Sequence, residues 1–153
     1  MEKFFEEYLA LLDSCHNGIL GALEGLPVEA LDWSPGPEMN SLSVLVFHTT
    51  GSERYWIGDV AMDEFSNRDR AAEFAVRGVT QEVLKKRLDD ASAYAREALG
   101  RLSLEDLEGS RMDKSHDRTV TVAWALLHAL EHASVHLGHI QLTRDLWKQT
   151  QAG

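Results

Sequence analysis

Cysteine, proline and positive charge are all scarce in this 153-residue chain. The single cysteine, Cys15, excludes an internal disulfide, and its place among Tyr8, Leu11, Leu12 and Ile19 at helical spacing puts it in the expected core. The three prolines, Pro27, Pro35 and Pro37, fall in one connector, so nothing in the remaining chain forbids long helices. Basic residues number 15 against 25 acidic ones, a net charge of −10. That balance repels phosphate backbones, and no stretch clusters Lys or Arg with interleaved aromatics, which argues against a nucleic-acid partner. Long apolar runs are also missing. The start, Met-Glu-Lys-Phe-Phe-Glu-Glu, is acidic and amphipathic, so neither a signal peptide nor a membrane span is expected, and a cytoplasmic location is.

What remains is helical periodicity. From about Lys3 to Glu24 the apolar residues Phe4, Phe5, Tyr8, Leu11, Leu12, Cys15, Ile19 and Leu23 recur at three and four spacing, with Gly25 where a C-terminal cap belongs. After the proline-bearing connector, Asn40 and Ser41 offer N-caps to a second helix ending near Met62. Asp63 to Gly78 is polar and reads as a crossing loop with at most a short helical turn. A third helix runs from Thr80 to Gly100 and a fourth from about Thr119 to Lys148. No alternating run suggests a sheet, so the expectation is one all-α domain over residues 1–153, a four-helix bundle burying roughly 70% of its extended surface. Long connectors before the third and fourth helices argue against a simple meander. The fourth helix is apolar around most of its circumference, as for a central helix or one covered by a second subunit.

That fourth helix carries four histidines within twelve residues, His128, His132, His136 and His139. At about 100° per residue, and with His128 at zero, the others fall near 20°, 40° and 80°, so all share one stripe. One histidine on an apolar face is ordinarily a packed core residue. Four leave several ring nitrogens needing partners, which a shared cation supplies and an apolar core does not. Side chains four apart can meet one ion, so the stripe presents half of a metal site, with either His128 and His132 or His132 and His136 as the pair.

A catalytic metal generally takes three protein ligands and an open position, so a further ligand must come from another helix. His48 is the candidate, mid-helix in a segment otherwise set for burial, with Val44, Leu45, Ser52, Tyr55 and Asp59 within about 60° of it on the wheel. His116, in Asp113-Lys-Ser-His-Asp-Arg, reads as a solvated loop residue, and His16 as a surface or capping residue. Neither paired Glu-x-x-His motifs nor His-Glu-x-x-His occurs, which leaves a mononuclear site as the consistent choice. Glu53 points about 140° away from His48 and is expected in a surface or interhelical ion pair.

Three segments together resemble the DinB-like superfamily of bacterial four-helix metal proteins. They are Leu26-Pro with Leu31-Asp-Trp-Ser-Pro, then Ser41 to His48 followed by Gly51-Ser-Glu-Arg-Tyr-Trp, and His128-Ala-Leu-Glu-His132-Ala-Ser-Val-His136-Leu-Gly-His-Ile. The resemblance spans nearly the whole chain. It implies an up-down-down-up bundle, frequent homodimers, and a divalent transition metal, Zn²⁺ or Ni²⁺, on His48, His132 and His136. His128 then becomes a pocket residue or supports the ligands. His139 stands where many relatives have Gln, and either completes the coordination or alters the surroundings of the site. Ser52, Tyr55 and Asp59 are pocket candidates.

Characterised relatives include thiol transferases using bacillithiol or mycothiol, and others are regarded as metal-dependent hydrolases. The resemblance therefore implies a small-molecule substrate and a low-molecular-weight thiol as co-substrate. A metal on three neutral imidazoles keeps its charge largely uncompensated, which suits ionising a bound thiol or water near neutral pH. If His128 or His139 instead filled the last position, the reading would be a metal-stabilised dimeric binding module without turnover.

Overall fold

The computed structural model describes residues 1–152. Four long helices make the body: α1 at Lys3–Leu23, α3 at Leu42–Glu53, α5 at Gln81–Leu99 and α6 at Val122–Gln151. Two short ones sit in the connectors, α2 at Val28–Asp32 and α4 at Arg70–Ala75. The ends follow local chemistry. Gly25, at φ +72°, takes the left-handed turn after α1, Ser41 accepts from the Val44 amide to cap α3, and Thr121 accepts from the Trp124 amide to cap α6.

Three features depart from the expectation. The expected absence of sheet is overturned by a hairpin, β1 at Ser110–Asp113 pairing antiparallel with β2 at Arg118–Thr121, so α6 begins three residues later than expected. The β-branched Thr119-Val120-Thr121 favours an extended strand, and the turn closes through Asp117 at φ +47°. The second long helix does not run regularly to Met62. From Arg54 to Ala61 its turns widen to an i→i+5 pattern, and the Met62 amide bonds back to the Ile57 carbonyl. The proline-bearing connector before α3 contains α2.

Contacts between helices fix their directions. Tyr8 donates to the Leu126 carbonyl and Cys15 meets Ser134, so α1 and α6 run parallel. His48 packs on His132 and His136 whereas Trp56 packs on Trp124, which makes α3 antiparallel to α6. Asp13 pairs with Arg96 and His16 with Ser92, setting α5 antiparallel to α1. The bundle is therefore up-down-down-up, and its parallel α3 and α5 force the chain to cross back along the molecule between residues 62 and 80.

Inside, two apolar clusters occupy opposite ends. One gathers Phe5, Leu12, Ile57 and Leu126, the other Ile19, Leu31, Leu45 and Ile140. Between them lies a polar belt holding His16, Thr49, Glu53, His48, His132 and His136. Cys15 is buried, as expected. Among the described residues no helix is long and apolar enough to cross a membrane.

Candidate metal centre

His48 on α3 and His132 and His136 on α6 bring one ring nitrogen each to within 4.8 Å of one another. The two helices cross with these residues at the same height, and the four-residue spacing along α6 stacks the latter pair. The Nε2 atoms of His132 and His136 face each other at 3.2 Å. A tetrahedral ion with bonds of about 2.1 Å holds its ligand nitrogens about 3.4 Å apart, so that pair matches the donor spacing of such an ion.

The electrostatics fit the same group. Burial, reinforced by His136, His48, His128 and Arg68, pushes the His132 imidazole down to about 3. Burial, with His48 and His139, pushes His136 down to about 4. Both rings are therefore neutral near pH 7 and offer lone pairs without first releasing a proton. His132 Nδ1 is buried without a partner.

Two other groups orient the cluster. Glu73, from α4, accepts from His48 Nδ1 at 3.3 Å, which leaves Nε2 as the nitrogen turned toward α6. Arg68 clamps the same carboxylate through Nε at 2.6 Å and Nη2 at 2.7 Å. Burial alone would raise Glu73, but the Arg68 guanidinium and the His48 N–H hold it below the ordinary carboxylate range. On the far side, His139 Nδ1 lies 3.3 Å from His136 Nδ1.

The remaining candidates are held elsewhere. His128 is wedged between the Trp124 ring, stacked at 4.8 Å, and the edge of Trp56, with Nδ1 3.3 Å from Glu131. Tyr55 donates to Asp113 Oδ1 at 2.6 Å and so anchors the hairpin, while Asp59 receives Arg54 and both donors of Ser66. Both lie in the widened turns that follow α3. They line a separate cavity of about 230 Å³ with Phe65, Arg70 and Lys114. Ser52 is buried. His116 keeps its ring exposed but stacks on Trp56 and bonds Asp113.

His16 is a correction: it is 3% exposed, not a surface or capping residue. Its Nε2 meets both Glu53 oxygens at 2.9 Å and its Nδ1 meets Ser92 Oγ at 2.6 Å, so Glu53 belongs to a buried interhelical pair and not to the surface. Arg68 and Glu73 went unread because they sit in a segment whose composition is that of a solvated loop. The available signal was Gly51, in the last turn of α3, where a Cβ would lie inside the Glu73 carboxylate.

The family model for mycothiol-S-transferase matches residues 8–149. A conserved protein from Enterococcus faecalis superposes with a TM-score of 0.78 at 20% identity, over 95% of this chain and 98% of that one. YfiT from Bacillus subtilis, described as a probable metal-dependent hydrolase with an unusual four-helix bundle topology, gives 0.76 at 14% identity, over 99% and 90%. A DinB-like protein from Bacillus cereus gives 0.73 at 16%, over 95% and 92%. These three establish the shared fold. None of the curated proteins matches the chain.

Proposed function

The chain belongs to the mycothiol-S-transferase family, and from that premise we propose that it is a divalent-metal-dependent thiol S-transferase with His48, His132 and His136 as ligands. The observation that carries the reading is the convergence of three imidazole nitrogens, two of them on rings kept neutral by burial. When bound there, Zn²⁺ or Ni²⁺ supplies a Lewis acid that favours the thiolate form of a small thiol near neutral pH. The protein's own residues do the positioning: Glu73 fixes the His48 tautomer, Arg68 holds Glu73, and His139 steadies His136.

The fates of His128 and His139 support a site with an open position. His128 is engaged by two tryptophans, and His139 approaches the far nitrogen of His136. A hydrolase is the second reading, favoured by the description given to the YfiT structure. A homodimer fits the exposed Leu127, Val135 and Leu142 on α6 with Leu11 on α1, apolar surface that a two-fold mate would cover. Light scattering giving only monomer at high concentration would remove the dimer alone.

Elemental analysis of purified protein tests the metal, with about one ion per chain expected. Mycothiol, bacillithiol, glutathione and cysteine, each paired with a generic electrophile and run beside ester and amide substrates, test the chemistry. Metal-dependent loss of free thiol supports the transferase. Turnover confined to esters or amides transfers the proposal to the hydrolase, and no turnover with a coordinatively closed metal leaves a binding module.

A further inference from the structure

A cavity of about 430 Å³ lies between α3, α4 and α5, on the flank of His48 away from α6. Phe47, Ile57, Ala91 and Tyr94 give it an apolar wall. Most of its ionic groups are already matched: Arg68 by Glu73, Arg54 by Asp59 and Glu64, Glu53 by His16, and Asp90 by Lys86. Asp69 caps α4 through the Ala72 amide.

Arg87 differs. Among the described residues it is held only by neutral groups: Nε donates to Thr50 Oγ1 at 2.8 Å, Nη2 to the Phe47 carbonyl at 3.3 Å, and the guanidinium lies 4.1 Å over the Phe47 ring. These contacts fix the plane of the group and leave its Nη1 edge without a partner. Glu73 and Asp90 act on this half-buried cation only through space, and a charge-assisted pair with an anion supplies the direct partner it lacks. The planar fork matches a carboxylate. The acidic groups Asp69, Glu73 and Asp90 around the same space disfavour a dianion such as phosphate more than a single charge.

We propose that this cavity is a receptor for a small monocarboxylate, its carboxylate on the free edge of Arg87 and its hydrocarbon part against Phe47, Ile57 and Ala91. The volume is that of a small-molecule site and admits a ring the size of benzoate. The site shares the Arg68–Glu73 wall with the histidine cluster but needs no metal.

Benzoate, with benzamide as its neutral counterpart, tests the charge requirement by calorimetry and by the Arg87 Nε–H resonance at constant ionic strength. Saturable benzoate binding on the order of 1–10 mM is expected, with benzamide at least about tenfold weaker. Arg87→Gln should weaken benzoate at least about tenfold. Ala91→Leu, which fills the cavity without touching Arg87, should do the same, and each variant is checked for an intact thermal transition. Equal binding of benzoate and benzamide, retention of benzoate by both variants, or no saturation by about 50 mM would overturn the site. Binding is expected equally in metal-loaded protein and in His136→Ala protein, so failure here is separate from failure of the metal reading.

Discussion

Buried His16 and the half-buried pair His132 and His136 share the polar belt and behave oppositely. His132 and His136 face other imidazoles, and burial among like groups drives their affinity for protons far down. At His16 burial pulls the same way and is the largest influence, yet the hydrogen bond and charge of Glu53 outweigh it and raise the imidazole above its ordinary value. Burial alone therefore does not decide what a histidine does. The Glu53 carboxylate beside His16 favours its charged form and ties α1, α3 and α5 together, whereas His132 and His136, with no carboxylate against them, are left as neutral donors suited to a metal.

The sharpest way to break the comparison is to remove the carboxylate. Glu53→Ala should cost about 3–5 kcal/mol in urea unfolding, because it strands a buried imidazole, and replacing both His16 and Glu53 with apolar residues should cost much less. A single-mutant loss below about 1 kcal/mol would mean the pair is no more than a surface-type contact. Next, His136→Ala should weaken metal binding more than about 100-fold, while His128→Ala stays within a few-fold. A larger loss from His128→Ala would shift the ligand pair by one helical turn. Glu73→Gln removes the anionic support of His48 together with the Arg68 ion pair and should weaken the metal by about 10- to 100-fold, read by competition with a chromophoric chelator.

The remaining expected effects concern pH, and they run in opposite directions. His132 and His136 titrate in the fold near 3 and 4 against about 6.5 in the unfolded chain, so protons bind the unfolded state first. Metal-free protein should lose stability as pH falls from about 6.5 toward 4, and His132→Ala with His136→Ala should flatten that limb. His16, raised in the fold, contributes stability that is full below about 6.5 and is lost as pH rises through its folded value. His16→Gln should remove the alkaline limb and leave the acid limb in place. Urea midpoints across pH 4.5 to 9 would show both, and loss of the same limb in both variants would erase the distinction.

The spacing of His132 and His136 was readable because a helix repeats on a short period, and His48 because a polar ring in an apolar run stands out. The bundle itself was legible from the three and four spacing of α1 and α5. What escaped were features set by partners distant in the chain. His16 looks like any polar residue on α1 until Glu53 reaches it from α3. Arg68 and Glu73 derive their role from docking on α3 at Gly51, and only that glycine hints at it. The widened turns from Arg54 to Ala61 rest on tertiary contact too: Gly58 lacks a side chain where Arg54 and Tyr94 pass, and Arg54 lies 4.0 Å over the Tyr94 ring. The hairpin had a local signal in Thr119-Val120-Thr121, masked by the apolar periodicity that begins just after it.

Parallel α3 and α5 oblige the chain to span the bundle's length between them, and the segment that does so delivers Arg68 and Glu73 to the back of His48. The ligands are fixed in long helices, while the groups that tune them ride on the connection between α3 and α5, docked on α3 at Gly51. Such a division lets a lineage retune one metal centre for new chemistry by rewriting a connection, and makes chimaeras that swap residues 62–80 between relatives a direct route to altered metal preference.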